Sequence, residues 1–181
     1  MKPEVFAFFK LFRRPSVLIA LLTLFIQWAI FGDISRFGNS IFSSLVHSGW
    51  GHWLGNVIPL VFLMFPFENR YGIFRTWSFV VFVLFMSRLA FEIPGAPPVT
   101  PIIQILGLSA LVSGFIGFWI FESKRDLFRL TIRVFALLLL ISSIRSTDVY
   151  TQWGHAAGFA AGLLVQIFFQ MKVRLRAKSA A

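Results

Sequence analysis

There is no cysteine in this chain, which removes disulfides, thiolate metal sites and a cysteine nucleophile together. Acidic residues are scarce as well: 7 Asp and Glu stand against 17 Lys and Arg, for a net charge of +10. Charged residues of both signs amount to 13% of the 181 residues, too few to coat a soluble domain of that length. The HExxH pair of a zinc peptidase helix is also missing. What takes the place of charge is apolar bulk, with 57% hydrophobic residues and 24 phenylalanines. A single domain of this size has no interior able to hide that much apolar surface, so the chain reads as an integral membrane protein. Its first apolar segment lacks a small-residue cleavage site and is read as a retained span.

Six segments read as spans: roughly 16–32, 52–67, 73–91, 102–121, 127–144 and 152–171. The expected fold class is all-α, a polytopic membrane domain of six transmembrane helices over residues 16–171. A basic N-terminal segment, 1–15, precedes it and a basic tail, 172–181, follows. The second segment is short and is expected to end at Pro66. With the N-terminus inside, the inner segments collect Lys2, Lys10, Arg13, Arg14, Arg70, Arg75, Lys124, Arg125, Arg129, Arg133, Lys172, Arg174, Arg176 and Lys178. The outer segments keep Arg36, Arg88 and Arg145, which makes 14 inside against 3 outside and places both termini in the cytoplasm. Basic charge sorted in this way reflects topology, with attraction to anionic lipid headgroups second, and argues against a nucleic-acid partner. No ionisable residue is expected near mid-bilayer, which sets a transporter or channel aside.

The polar residues are sorted too. His47, His52 and His155 fall at outward-facing ends. Ser109 stands about eight residues into the fourth span, roughly 10 Å below that surface. Ser109, Ser113 and Gly117 recur every four residues and line one small, faintly polar helix face. In the sixth segment, His155, Gly158 and Gly162 share another. Two readings fit these faces. Small residues let membrane helices approach closely, and packing alone accounts for them, with the histidine satisfied by a backbone carbonyl at the interface. The chemical reading pairs the groups: imidazole is the side chain suited to take a proton from a serine hydroxyl near neutrality, and two small faces allow it to reach one. His52 and Asn56, four residues apart in the second segment, can donate hydrogen bonds to a developing oxyanion, with the Ser109 amide as a third donor. Read as interfacial decoration, that pair explains His52 better than Asn56, which lies a turn deeper. Ligation of a metal by His47, His52 and His155 is a third possibility, without the helix motif of a metallopeptidase to support it.

In these residues the chain resembles the rhomboid intramembrane serine proteases, in the six-span form found in prokaryotes. Gly107 and Ser109 match the family's Gly-x-Ser, with Gly114 and Gly117 as the small residues that follow it. Gly154, His155, Gly158 and Gly162 match Gly-His-x-x-Gly-x-x-x-Gly in full. His47, His52 and Asn56 match the two histidines and asparagine leading into the second span, and Glu68, Arg70 and Gly72 look like the Glu-x-Arg-x-Gly after it. The resemblance covers roughly residues 43–171. Ala110 departs from it, standing where a second glycine usually follows the serine, and the first outer loop, about 33–51, is short and lacks a Trp-Arg pair.

The resemblance implies a serine–histidine dyad in which Ser109 is the nucleophile and His155 the base and then the acid, with no carboxylate and no cofactor. His52 and Asn56 would serve the oxyanion, His47 would support the first outer loop, and Gly107, Gly154, Gly158 and Gly162 would support the site. The partners implied are transmembrane protein substrates within a lipid bilayer, in a bacterial or archaeal cell membrane with the site open to the outer face. Glu68 and Arg70 are expected to form a structural ion pair or to cap loop backbone, and Asp148 is given no catalytic part. Residues 92–101 and 143–152 are expected to be outer loops, the second a lid. A second class shares the same resemblance: an inactive rhomboid-like protein that binds membrane clients without cutting them.

Overall fold

A computed structural model of the protein describes residues 14–30, 50–93, 108–121, 127–145 and 149–179. They form six α-helices: α1 (Pro15–Ile30), α2 (Trp50–Tyr71), α3 (Ile73–Leu89), α4 (Leu108–Trp119), α5 (Leu127–Arg145) and α6 (Val149–Ser179). A 3-10 turn, Ala90–Glu92, extends α3, and no strand occurs among the described residues. The all-α class expected from the sequence is therefore the class observed. Among the described residues, three stretches are long and apolar enough to cross a membrane: Trp50–Tyr71, Ile73–Glu92 and Thr151–Ala177. Pro15–Ile26 and Leu108–Trp119 are shorter apolar helices. The chain divides into two compact units, residues 1–81 with 98–108 and residues 82–97 with 109–181, so the boundary falls inside α3.

In the first unit, α1 and α2 run antiparallel and are tied by polar contacts near both ends. Pro15 takes the first helical position, where a missing N–H costs nothing. The carbonyl of Arg14 accepts from Leu18 N at 2.9 Å, so Arg14 holds the cap position with a side chain that cannot accept a hydrogen bond. Glu68 of α2 supplies the missing acceptor. Its buried carboxylate takes the Ser16 backbone N–H and, at 3.0 Å, the Ser16 hydroxyl, and its negative charge stands at the positive end of the α1 dipole. Arg14 Nη1 lies 3.9 Å from the same carboxylate and donates to Asn69 Oδ1 at 2.9 Å. Toward the other end, buried Trp53 donates Nε1–H to Thr23 Oγ1 at 3.1 Å, and that hydroxyl donates to Ala20 O at 3.0 Å. Gly72, at φ +84°, then ends α2, and its carbonyl accepts both Thr76 N and Thr76 Oγ1 at the start of α3. That left-handed conformation is open to glycine at no steric cost, so two helices are joined through one residue.

The second unit is built on α4, in which every residue from Ala110 to Trp119 is buried. Phe118 meets Phe169 of α6 edge-on at 6.1 Å, and Trp119 meets Phe128 of α5 edge-on at 5.3 Å. By contrast α5 exposes Leu127, Leu130, Leu137, Leu138 and Leu140, an apolar surface fit for lipid.

Several expectations change. Pro66 does not end α2; the helix passes through both Pro59 and Pro66 to Tyr71. Membrane helices tolerate proline when neighbours satisfy the backbone it frees, and here Glu68 and Phe67, just beyond Pro66, are held by α1 and by the Phe79 ring at 5.0 Å. Glu68 does form an ion pair and a cap, but with Arg14 and the start of α1; the Arg70 guanidinium lies 5.4 Å from the Tyr71 ring centroid. The basic residues that follow position 171 are helical, since α6 continues to Ser179. Lysine and arginine are good helix formers and suit the negative end of the helix dipole. The loop expected over 143–152 contracts, with α5 reaching Arg145 and α6 starting at Val149. Residues 146–148, with Asp148 and the centre of the expected lid, lie outside the described residues, as do 31–49 and 94–107.

Replacing Glu68 with Gln keeps its shape while removing the charge, and is expected to lower stability by about 1–3 kcal/mol. Thermal unfolding in detergent micelles measures this. A midpoint unchanged from wild type would show that the cap on α1 is not stabilising.

Candidate active site

The helices that carry Ser109 and His155 meet backbone to backbone. A Cβ on Gly158 would collide with the carbonyl of Ala110, and one on Gly162 with the carbonyl of Gly114. A Cβ on Gly117 would collide with the carbonyl of Phe159, and one on Gly114 would come within 3.3 Å of the Gly158 carbonyl and 2.7 Å of Val83 Cγ1. Along this seam, four residues on α4 (110 to 114) correspond to four on α6 (158 to 162), so the two helices run parallel. Ser109 precedes Ala110 by one residue and His155 precedes Gly158 by three, about one turn. Both therefore belong to the same end of the seam.

The two serines of α4 have different surroundings. Ser113 is fully buried, and its hydroxyl donates to the Ser109 carbonyl at 2.7 Å, the bond by which a helical serine satisfies itself against its own backbone. Ser109 is only half-buried. It is the second residue of α4, and residues 102–107 of the expected span, including Gly107, lie outside the described residues. His155 is buried and borders a cavity of about 560 Å³ that α6 shares with α4 and α5. Gly154, just before it, is buried as well.

A residue that sequence reasoning passed over holds this end of α6. Trp153 donates its Nε1–H to Ala90 O, in the 3-10 turn after α3, at 2.9 Å. Because His155 lies two residues further on, this bond helps to set the rotation of the helix that carries the imidazole. The available signal was an indole next to Gly-His at a span end, where tryptophan commonly bonds with one edge and packs with the other.

In the first unit, His52 is exposed and Asn56, one turn on, is buried. Asn56 Nδ2 donates to the His52 carbonyl at 3.1 Å, which uses one of its two amide hydrogens. The i, i+4 spacing does place the pair on one side of α2, as expected. His47 lies outside the described residues.

The family model described as Rhomboid domain matches residues 33–172, most of the chain and every candidate site residue named above. No curated protein and no solved structure gives a match.

The seam leads to a direct test of packing. Gly162→Ala sets a methyl group against the backbone of Gly114, which cannot swing aside, and is expected to destabilise the fold by about 1–3 kcal/mol. Gly55→Ala, where a Cβ meets nothing within 4 Å, is expected to leave stability unchanged or raise it by up to about 1 kcal/mol. Unfolding of the two variants in the same detergent provides the comparison, and equal behaviour would remove the case for a close α4–α6 contact.

Proposed function

The chain belongs to the rhomboid family, and on that premise we propose that it is an intramembrane serine endopeptidase, hydrolysing peptide bonds in or near the transmembrane segments of other membrane proteins. The observation that supports this most is the parallel glycine seam of α4 and α6, which has Ser109 and His155 at one end while the other serine of that face is engaged by its own helix.

In this mechanism His155 takes the proton of the Ser109 hydroxyl as the oxygen attacks the scissile carbonyl carbon. The carbonyl π bond opens to an oxyanion, which the His52 and Asn56 side chains and the Ser109 amide stabilise; the part of His52 and Asn56 follows from the family motif. As the intermediate collapses the C–N bond breaks, and His155 returns the proton to the leaving amine. Water deprotonated by His155 then hydrolyses the serine ester. That step needs water, which the bilayer core lacks, so the site opens to the aqueous face at this end of α4 and α6. The sorting of basic residues supports a site that faces outward, with both termini in the cytoplasm. Helical substrates hide their carbonyls in hydrogen bonds, so cleavage is favoured where Gly, Pro or small residues loosen the helix.

Two measurements test the reading on purified protein in liposomes: labelling by a serine-directed fluorophosphonate, and cleavage of a transmembrane substrate. Ser109→Ala and His155→Ala are each expected to abolish labelling and to lower turnover by up to about 10⁶, while Ser113→Ala keeps its label. Asn56→Ala is expected to lower turnover by about 10²–10³ with substrate binding retained. Full proteolysis by Ser109→Ala would sink the mechanism. A folded wild type that binds a substrate and never cuts it would make the chain an inactive, client-binding member.

A further inference from the structure

The cavity beside His155 is elongated and chemically two-ended. One end carries Gln152 and His155, and from there it follows Ala156 and Phe159 along α6, with Ile116 and Ile120 of α4 and the α5 residues 136, 137, 139 and 140 as its walls. Both polar side chains thus stand at the α6 N-terminal end. Seven residues separate Gln152 from Phe159, so the groove extends at least roughly 10 Å along the helix. Leu137 and Leu140 on its rim are exposed, which opens it toward lipid.

We propose that this groove binds a single-chain anionic amphiphile, a long-chain fatty acid, with the carboxylate at His155 and Gln152 and the alkyl chain laid along α6. Three observations select that occupant. The groove offers about 560 Å³, room for one extended alkyl chain. Ser109 is not among its walls, so a scissile segment lying in it would meet the base without the nucleophile. The polar end matches a carboxylate, since a protonated imidazole and a primary amide both donate hydrogen bonds and the first carries the complementary charge. The rest is hydrocarbon, the match for an alkyl tail.

The binding stands on the groove alone; its effect on activity rests on the reading of His155 as the base. A carboxylate that accepts a hydrogen bond from the imidazole and holds it in the groove competes with the Ser109 hydroxyl for that side chain. The ligand is thus an inhibitor that acts from within the membrane on one half of the dyad.

The test uses the full chain in liposomes and a long-chain fatty acid carrying a diazirine on its tail, which reports binding whether or not the protein cleaves anything. Irradiation is expected to label peptides that contain Ala136–Leu140 or Ala156–Phe159, saturably, with competition by unlabelled oleate at least about tenfold better than by methyl oleate. Ala136→Trp, and separately the milder Ala136→Leu, fill the groove and are expected to reduce this labelling, whereas Leu130→Trp, on the exposed face of α5, leaves it intact. Unsaturable labelling, or equal labelling in the groove-filling and Leu130→Trp variants, would mean ordinary contact with bulk lipid and overturn the proposal. Equal competition by oleate and methyl oleate would overturn the part given to the carboxylate. If the saturable site is present but oleate leaves Ser109 fluorophosphonate labelling unchanged, the fault lies with the role assigned to His155 and not with the groove.

Discussion

The second unit depends on the absence of side chains at the contact between α4 and α6. Lipid tails are as apolar as leucine, so burying hydrocarbon between two membrane helices brings little advantage over leaving it in the bilayer. Close van der Waals contact remains, and it requires surfaces that approach without obstruction. Gly114, Gly117, Gly158 and Gly162 provide this by bringing carbonyls of one helix into the space a Cβ of the other would fill. Such a contact also fixes register. A slide by one residue would drive Phe115, Leu163 or another bulky side chain into backbone, so the pairing of 110 with 158 and of 114 with 162 has no near competitor. Ser109 and His155 inherit their common level from it.

The first unit meets the same problem with polar contacts. A hydroxyl, an indole N–H and a carboxylate are costly in hydrocarbon unless each finds a partner. Between α1 and α2 they find one another: Trp53 with Thr23 toward one end, Glu68 with Ser16 and Arg14 at the other. The carboxylate completes a helix terminus whose own residue, Arg14, cannot cap it, and Arg14 in turn moderates the charge it caps with. Removing the Glu68 carboxylate leaves the Ser16 N–H and hydroxyl without their acceptor, so these contacts act together and not as a sum of weak bonds. The guanidinium also lies 4.3 Å from the Phe65 ring centroid, which holds it close to the carboxylate while its stem crosses apolar surface.

What could be read from the sequence follows the range of the interactions involved. Spacings of three and four residues are local, so the glycine faces, the pairing of Asn56 with His52 and the helical character of the described parts of the expected spans were legible. The partners of Glu68 were not. Its motif neighbour Arg70 is two residues away, but its actual partners are 52 and 54 residues back on α1, and no periodicity records that proximity. Pro66 misled for a related reason: proline is a local break signal, and the tertiary contacts that carry α2 past it are not local. The length of α6 was missed because hydropathy marks where a membrane ends, whereas a helix ends where its hydrogen bonds and propensities end, and the basic residues after 171 are good helix formers. Trp153 was visible as an interfacial residue, but its bond to Ala90 depends on a 3-10 turn for which the sequence carries no strong signal.

The contrast between Ser109 and Ser113 shows how position along a membrane helix decides what a hydroxyl can do. The two residues share a face and differ by one turn, roughly 6 Å of rise. Deep in α4, with no water to turn to, the Ser113 hydroxyl has to find an acceptor in protein, and the carbonyl four residues back is always within reach. A hydroxyl held in that way is a structural group whatever base lies nearby, because its proton already has an acceptor and its oxygen is enclosed. Ser109 stands at the start of the helix and is half-buried, so it is not forced into the same solution. The carbonyl that satisfies Ser113 is that of Ser109 itself, which anchors the first turn of α4 from below. Bonds of this kind tend to bend a helix slightly, so one serine influences the course of the backbone on which the other is presented, a part for the pair beyond the smallness that helix packing requires.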